Sequence, residues 1–315
     1  MMFAARCAGI SLAMFILVYV PVSLAVCRGW KLVWRAVKPG SPRKSTTLLF
    51  VLRIVPFAMA LIFTLVFTLP SFLLLEPRST DEAVGTLPVA LGLCCLTVLI
   101  AGITKAVSAQ LRVSRALMKW LDGSSVMEPA AAVPVFRTTK DSPALTVAGV
   151  RDPKVLVSEA AVAALTGSEL RVALKHEMAH VRSYDNLKKL FFRLCAFPRM
   201  APLEHAWSEQ SELAADDAAV VCVDDALDLA AALIKVSRLR AAEPKIELAT
   251  GLLHSSTALS LRIQRLFRWD GKPAQAGAST LWYVLPSIVA TCLVVATTYS
   301  STLAQLHAVT EWLVR

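Results

Sequence analysis

The sequence predicts a predominantly α membrane protein: four transmembrane helices, with a cytosolic α+β domain inserted between the third and the fourth. Three observations carry this. Hydrophobic residues make up 56% of the 315-residue chain and the mean hydropathy is +0.58, too apolar for a simple soluble domain. Four apolar runs reach the ~20 residues that cross a bilayer as a helix. The long stretch between the third and fourth runs is mixed in polarity and carries short extended segments.

The four runs are 8–27, 54–75, 84–104 and 281–304. Their flanks set an orientation, because Lys and Arg beside spans are retained in the cytoplasm. The connection 28–53 carries Arg28, Lys31, Arg35, Lys38, Arg43 and Lys44. The connection 76–83 has one Arg against Glu76, Asp81 and Glu82, and Lys105, Arg112, Arg115 and Lys119 follow the third run. The expected topology is N-terminus outside, basic loop inside, short acidic loop outside, domain 105–279 inside and tail 305–315 outside, in a multi-pass protein of the cytoplasmic membrane.

Arg6 ahead of an apolar run and the stretch "SLAVC" look like a leader peptide, but Val26 before Cys27 fits a lipoprotein site poorly and basic residues follow at once. An uncleaved first helix is expected. Arg53 is expected to snorkel to the inner headgroups, and Pro56, Pro70 and Pro286 to kink their helices.

Much of the net charge of +10 belongs to segments facing anionic lipid. The domain 105–279 holds 23 basic and 19 acidic residues, a net charge of only +4. No basic-aromatic patch argues for direct nucleic-acid binding. The seven cysteines fall in spans or in the cytosolic domain, so no disulfide framework is expected, and Cys195 and Cys222 read as buried thiols.

Within the domain, "KAVSAQLRVSRALMKWLDG" reads as an amphipathic extension of the third span beneath the membrane. A break follows at "DGSSVMEPAAAVP". Three short runs, 133–137, 144–149 and 154–158, separated by "KDSP" and "VRDP", predict a small antiparallel sheet. The rest is helical. "SEAAVAALTG" is a short helix, and Thr166 with Glu169 has the capping-box spacing that opens the next one. Further helices are expected over 204–222 and 226–240, and "LSLRIQRLF" closes the domain.

The helix that follows the capping box contains "LKHEMAHVRSYDN". At 100° per residue, His176 and His180 lie within about 40° of each other, so both imidazoles can meet one ion. Glu177 is turned away from ligation but can reach a water beside that ion. Leu170, Leu174, Met178 and Val181 form a separate apolar arc to bury. A third ligand should come from another helix, and "SEQSELAADDAAV" offers Glu212 and Asp216, four apart on one face. Asp216 could accept a ligand histidine's N–H. The alternative is a solvated acidic face, since Glu209, Asp217, Asp224 and Asp225 are close by.

"VLVSEAAVAAL", "ELRVALKHEMAHVRSYDNL", "FPRMAPLEHAWSEQSELAADDAAV" and "LSLRIQRLF", in that order, resemble the BlaR/MecR-type membrane zinc peptidases, whose gluzincin site combines HExxH with a later ExxxD. The resemblance covers the cytosolic domain and extends to three spans before it and one after. It implies a zincin-like peptidase domain with Zn2+ held by His176, His180 and Glu212, a catalytic Glu177, Asp216 in support and a structural role for Asp185. The antibiotic-sensing members carry an extracellular penicillin-binding domain after the fourth span, which this sequence lacks, so β-lactam sensing by this chain is not expected.

The expected activity is that of a zinc endopeptidase acting on a cytosolic protein in signal transduction, the resemblance suggesting a transcriptional repressor or the chain itself. Glu177 would move the proton, and the run 144–149 could bind substrate by strand addition. Arg182, Tyr184, His205 and His254 are the candidates for steadying the oxyanion. The alternative is a non-proteolytic membrane sensor or scaffold whose zinc is structural, which would have no use for a general base.

Overall fold

The computed structural model describes residues 2–37, 40–76, 85–128, 133–138, 142–240, 256–271 and 299–310. Its first half is a bundle of long apolar helices. α1 (Met2–Val37) and α4 (Thr86–Leu121) are single helices. α2 (Pro42–Phe63) passes through a π-helical turn (Thr64–Thr68) into α3 (Leu69–Leu75). Three stretches, Phe3–Val37, Pro42–Leu75 and Thr86–Leu121, are thus long and apolar enough to cross a membrane. The fourth expected span, 281–304, lies outside the described residues except for 299–304, which begin a helix over 299–310, α11.

The helices overrun the apolar runs because the flanking polar residues keep helical propensity. The expected basic loop 28–53 is mostly helix: α1 continues to Val37, and α2 starts with Ser41 as its cap and Pro42 in the first turn, where a missing N–H costs nothing. The third span and its amphipathic extension form one unbroken helix.

The π turn has a local cause. Pro70 has no N–H to give the carbonyl four residues back, which is that of Val66. Instead, the Tyr299 hydroxyl of α11 donates to Val66 O at 2.9 Å. Ser71 Oγ donates to Leu303 O, and Arg6 meets Glu76 at 2.8 Å, so α1, α3 and α11 are tied at one end of the bundle.

The other half is built on a four-stranded sheet in the order β1-β2-β4-β3, made of β1 (Ser125–Glu128), β2 (Val135–Thr138), β3 (Leu145–Ala148) and β4 (Lys154–Ser158). It is mixed rather than antiparallel. β1 forms inside the stretch expected to be a break and pairs antiparallel with β2. The β3–β4 hairpin then folds so that β4 lies parallel to β2 and β3 takes the edge. Gly149 permits the hairpin, holding φ +99 where a Cβ would press on Asp152 O.

Helices α5 (Glu159–Ala164), α6 (Gly167–Arg182), α7 (Asp185–Leu194), α8 (Ala201–Ala219), α9 (Val223–Arg240) and α10 (Ser256–Phe267) follow. The expected capping box is present: Thr166 Oγ1 accepts from Glu169 N while Glu169 Oε2 accepts from Thr166 N. Leu170, Leu174, Met178 and Val181 pack on a core of Val135, Leu145, Val147, Val155 and Val157, so one arc of α6 covers the sheet. Cys195 is buried, but Cys222, expected to be buried, is exposed between α8 and α9.

The two halves interlock through α7 and α8. Arg53 does not snorkel: it is 2% exposed, donates to Phe192 O at 2.9 Å and pairs with Glu204 at 2.8 Å. Tyr19 donates to Cys195 O and Ala196 O, both at 3.1 Å, and meets the Phe197 ring edge-on at 5.6 Å. Gly102 of α4 lies so close to Leu194 O that a Cβ would overlap it. Leu49, Phe192, Met200, Leu203 and Trp207 seal the joint.

Candidate metal centre

The two histidines stack one turn apart on α6, with ring centroids 4.9 Å apart and planes at 84°. Their Nε2 atoms come within 3.2 Å of each other. Glu212 reaches both from α8: Oε2 is 3.5 Å from His176 Nε2, and Oε1 is 3.7 Å from His180 Nε2. His176, His180 and Glu212 are all buried, with one donor atom of each lying within 4.8 Å of the others. The α6–α8 packing is what closes the 36 positions between His176 and Glu212.

Each histidine has a carboxylate behind it at Nδ1. Asp216 Oδ1 stands 3.1 Å from His176 Nδ1, although not aligned for a hydrogen bond. Asp185 Oδ2 is 2.8 Å from His180 Nδ1 and also accepts from Ser211 Oγ at 2.6 Å. Both carboxylates leave Nε2 of each ring facing the common point, which is how ligand imidazoles are commonly oriented. Asp185 therefore positions His180 through a hydrogen bond, whereas Asp216 faces His176 Nδ1 as a charged neighbour.

Glu177 is 2% exposed, and its Oε2 has no hydrogen-bond partner among the described residues. A buried carboxylate oxygen left unpaired costs free energy.

Arg262, from α10, was not singled out by the sequence. It is 3% exposed and donates to Asp216 Oδ2 at 2.8 Å, Asp216 Oδ1 at 2.6 Å and Glu212 Oε2 at 2.9 Å. The signal was present in "LSLRIQRLF": Arg262 occupies the helical register of Leu259 and Leu266, both of which pack into the core beneath α8 and α9. An arginine on the buried stripe of an amphipathic helix needs a buried carboxylate. Ser211 and Lys189 were likewise unmarked. Lys189, one turn beyond Asp185, sets its ammonium 6.0 Å over the Trp207 ring.

Electrostatics follow from these contacts. Burial works against charge on His176, yet Asp216 and Glu212 win and push it up to about 9. Asp216 is lowered to about 2, the Arg262 guanidinium outweighing burial. Glu212 is held well below the carboxylate range, burial being overcome by His180, His176 and Arg262. Burial lowers Lys189 despite the acids around it, Glu212, Asp185 and Glu177.

The donor set suits a divalent ion. Two imidazole nitrogens and one carboxylate, buried and convergent, form a group that could hold such an ion. Of the four oxyanion candidates, Arg182 and His205 are exposed, His205 being paired with Glu209 at 3.3 Å, and His254 lies outside the described residues. Tyr184 is 67% exposed but lines a cavity that reaches His180. No family model and no curated protein matches the chain.

Proposed function

We propose that the chain is a membrane-bound zinc endopeptidase that hydrolyses a peptide bond in a protein on the cytosolic side of the membrane. The observation that carries this reading is Glu177, next in sequence to His176 of the convergent His176–His180–Glu212 group, whose buried Oε2 has no hydrogen-bond partner among the described residues. A purely structural metal would have no need of it, which favours hydrolysis over the sensor or scaffold alternative.

A zinc ion bound by these three residues would polarise the scissile carbonyl and bring the pKa of water towards ~7. Glu177 would accept a proton from the attacking water and deliver it to the leaving amine. Asp216 and Asp185 would hold the imidazoles through Nδ1, so that neither ring turns during turnover. Arg262 would keep Asp216 and Glu212 ionised, and so available as a support and a ligand. Tyr184, on the rim of the cavity at His180, is the best placed of the oxyanion candidates.

Sidedness rests on the basic residues at one end of the three membrane-length helices, Arg28, Arg35, Lys105 and Arg112 among them, against Glu76 at the other. The resemblance to BlaR/MecR-type peptidases supports a repressor, or the chain itself, as substrate.

Two measurements test the reading. Elemental analysis of the purified chain should find one zinc per protein, lost in His180→Ala and Glu212→Ala. Comparative proteomics of cells carrying wild type or Glu177→Gln should show cytosolic fragments that vanish with the variant. An identical fragment pattern would overturn it.

A further inference from the structure

Helix α7 exposes apolar side chains along one face. Tyr184, just before the helix, and Leu187 and Phe191 on it are exposed by 67%, 36% and 42%. At 100° per residue these three share an arc of about 120° with Leu190 and Leu194, while Asp185, Lys189 and Phe192 look the other way, towards the metal centre and the helix joint.

What that face adjoins says what covers it. Leu194 abuts Gly102 of α4, and the outward stripe of α4, Leu93, Leu96, Ile100, Ile103, Val107 and Leu111, runs at helical spacing from the apolar span past Lys105 without interruption. The turn after α7 is seated among the span helices, with Phe197 edge-on against Tyr19 of α1. A ten-residue helix rises only about 15 Å, so the Asp185 end of α7 stays close to the hydrocarbon boundary. Lys105, Arg112 and Arg115 on α4 place cations where anionic headgroups lie. The upper end of the apolar face then meets the site: Tyr184 and Leu187 rim the cavity that His180 lines.

We propose that the Leu187–Phe191 face of α7 rests on the bilayer surface, and that the metal centre acts on polypeptide segments attached to that membrane rather than on freely diffusing proteins. The second half rests on the peptidase reading. Substrate would reach His180 and Glu177 along the membrane, past Tyr184 and Leu187. Holding it on a surface raises its effective concentration at the cavity without any new contact.

The test uses the full chain, zinc-loaded, in vesicles containing phosphatidylglycerol. Nitroxide labels at Leu187→Cys and Phe191→Cys, in a background without the native cysteines, should collide more with lipid-soluble oxygen than with a water-soluble nickel complex. A label at Arg171→Cys, on an exposed α6 position, should do the reverse. Labels at 187 and 191 that behave like the one at 171 would overturn the proposal.

In the second arm, a mixed-sequence quenched-fluorescent peptide library is offered with and without a palmitoyl anchor. Anchored peptides should be cut at least about tenfold faster. Leu187→Glu with Phe191→Glu should erase that advantage while leaving the zinc content unchanged. Equal rates for the two forms overturn the substrate class. Cleavage of neither form by wild type sinks the peptidase reading, and the labels then decide the membrane face by themselves.

Discussion

Arg53 of α2 and Glu204 of α8 meet at 2.8 Å across 151 positions of sequence, the arginine side chain 2% exposed and the glutamate 36%. The pair ties a membrane-length helix to the helix that supplies Glu212 and Asp216, about two and three turns further along. It also ranks the partners. Glu204→Gln leaves a guanidinium buried without its counter-ion and should cost about 2–4 kcal/mol. Arg53→Met leaves a carboxylate that can turn to water and one Phe192 carbonyl unpaired, costing about 1–2 kcal/mol. The double variant should resemble Arg53→Met alone. Thermal unfolding in nanodiscs reads this order, and a costlier Arg53→Met would reverse the assignment.

Arg262 neutralises two buried carboxylates in the metal-free protein. Arg262→Met should destabilise that form by about 3–5 kcal/mol. Zinc, binding Glu212, should recover part of the loss, so the variant's gain in unfolding temperature on zinc loading exceeds that of wild type. Equal gains would mean that Arg262 and the metal do not share Glu212.

His176 gives the metal-free protein a pH dependence of definite sign. Its folded pKa is raised from 6.5 to about 9, so the stability it contributes is complete below pH 6.5 and is lost as pH rises through about 9. Zinc needs the unprotonated ring, so zinc affinity should rise about tenfold per pH unit over the same window. Unfolding temperatures between pH 6 and 9 should fall without zinc and diverge upward with it. Calorimetry in buffers of different ionisation enthalpy should detect proton release on zinc binding.

The close approach of α7 to α4 depends on a missing side chain. Gly102→Ala puts a Cβ into the Leu194 carbonyl, and overpacking of this kind costs about 1–3 kcal/mol. Amide exchange of α7 should accelerate selectively. Gly29→Ala, where a Cβ meets nothing within 4 Å, should leave exchange unchanged.

The elements most legible in the sequence were those set by local pattern: three apolar spans, the Thr166–Glu169 capping box and the histidine pair one turn apart. What stayed hidden was decided by partners distant in sequence. Arg53 reads as a snorkelling residue on an isolated helix, and only α7 and α8 supply the carbonyl of Phe192 and the carboxylate of Glu204 that bury it. The break before α7 is made by Tyr184 at φ 54 rather than by a glycine, so nothing marked it. The parallel β2–β4 pair follows from the placement of the β3–β4 hairpin, which strand-length patterns do not encode. Glu212 and Asp216 were legible as residue types at a spacing, but their common clamp, Arg262, showed only as a charge out of place on an apolar stripe.

Proton transfer by Glu177 beside a zinc held by His176, His180 and Glu212 is the step on which the proposed activity depends. Purified wild type and Glu177→Gln, both reconstituted, can be assayed side by side for bound zinc and for cleavage of the same peptide library. Zinc should be equal in the two, near one per chain, with cleavage reduced by at least about a hundredfold in the variant. Equal zinc with undiminished cleavage would rule out Glu177 as the proton carrier.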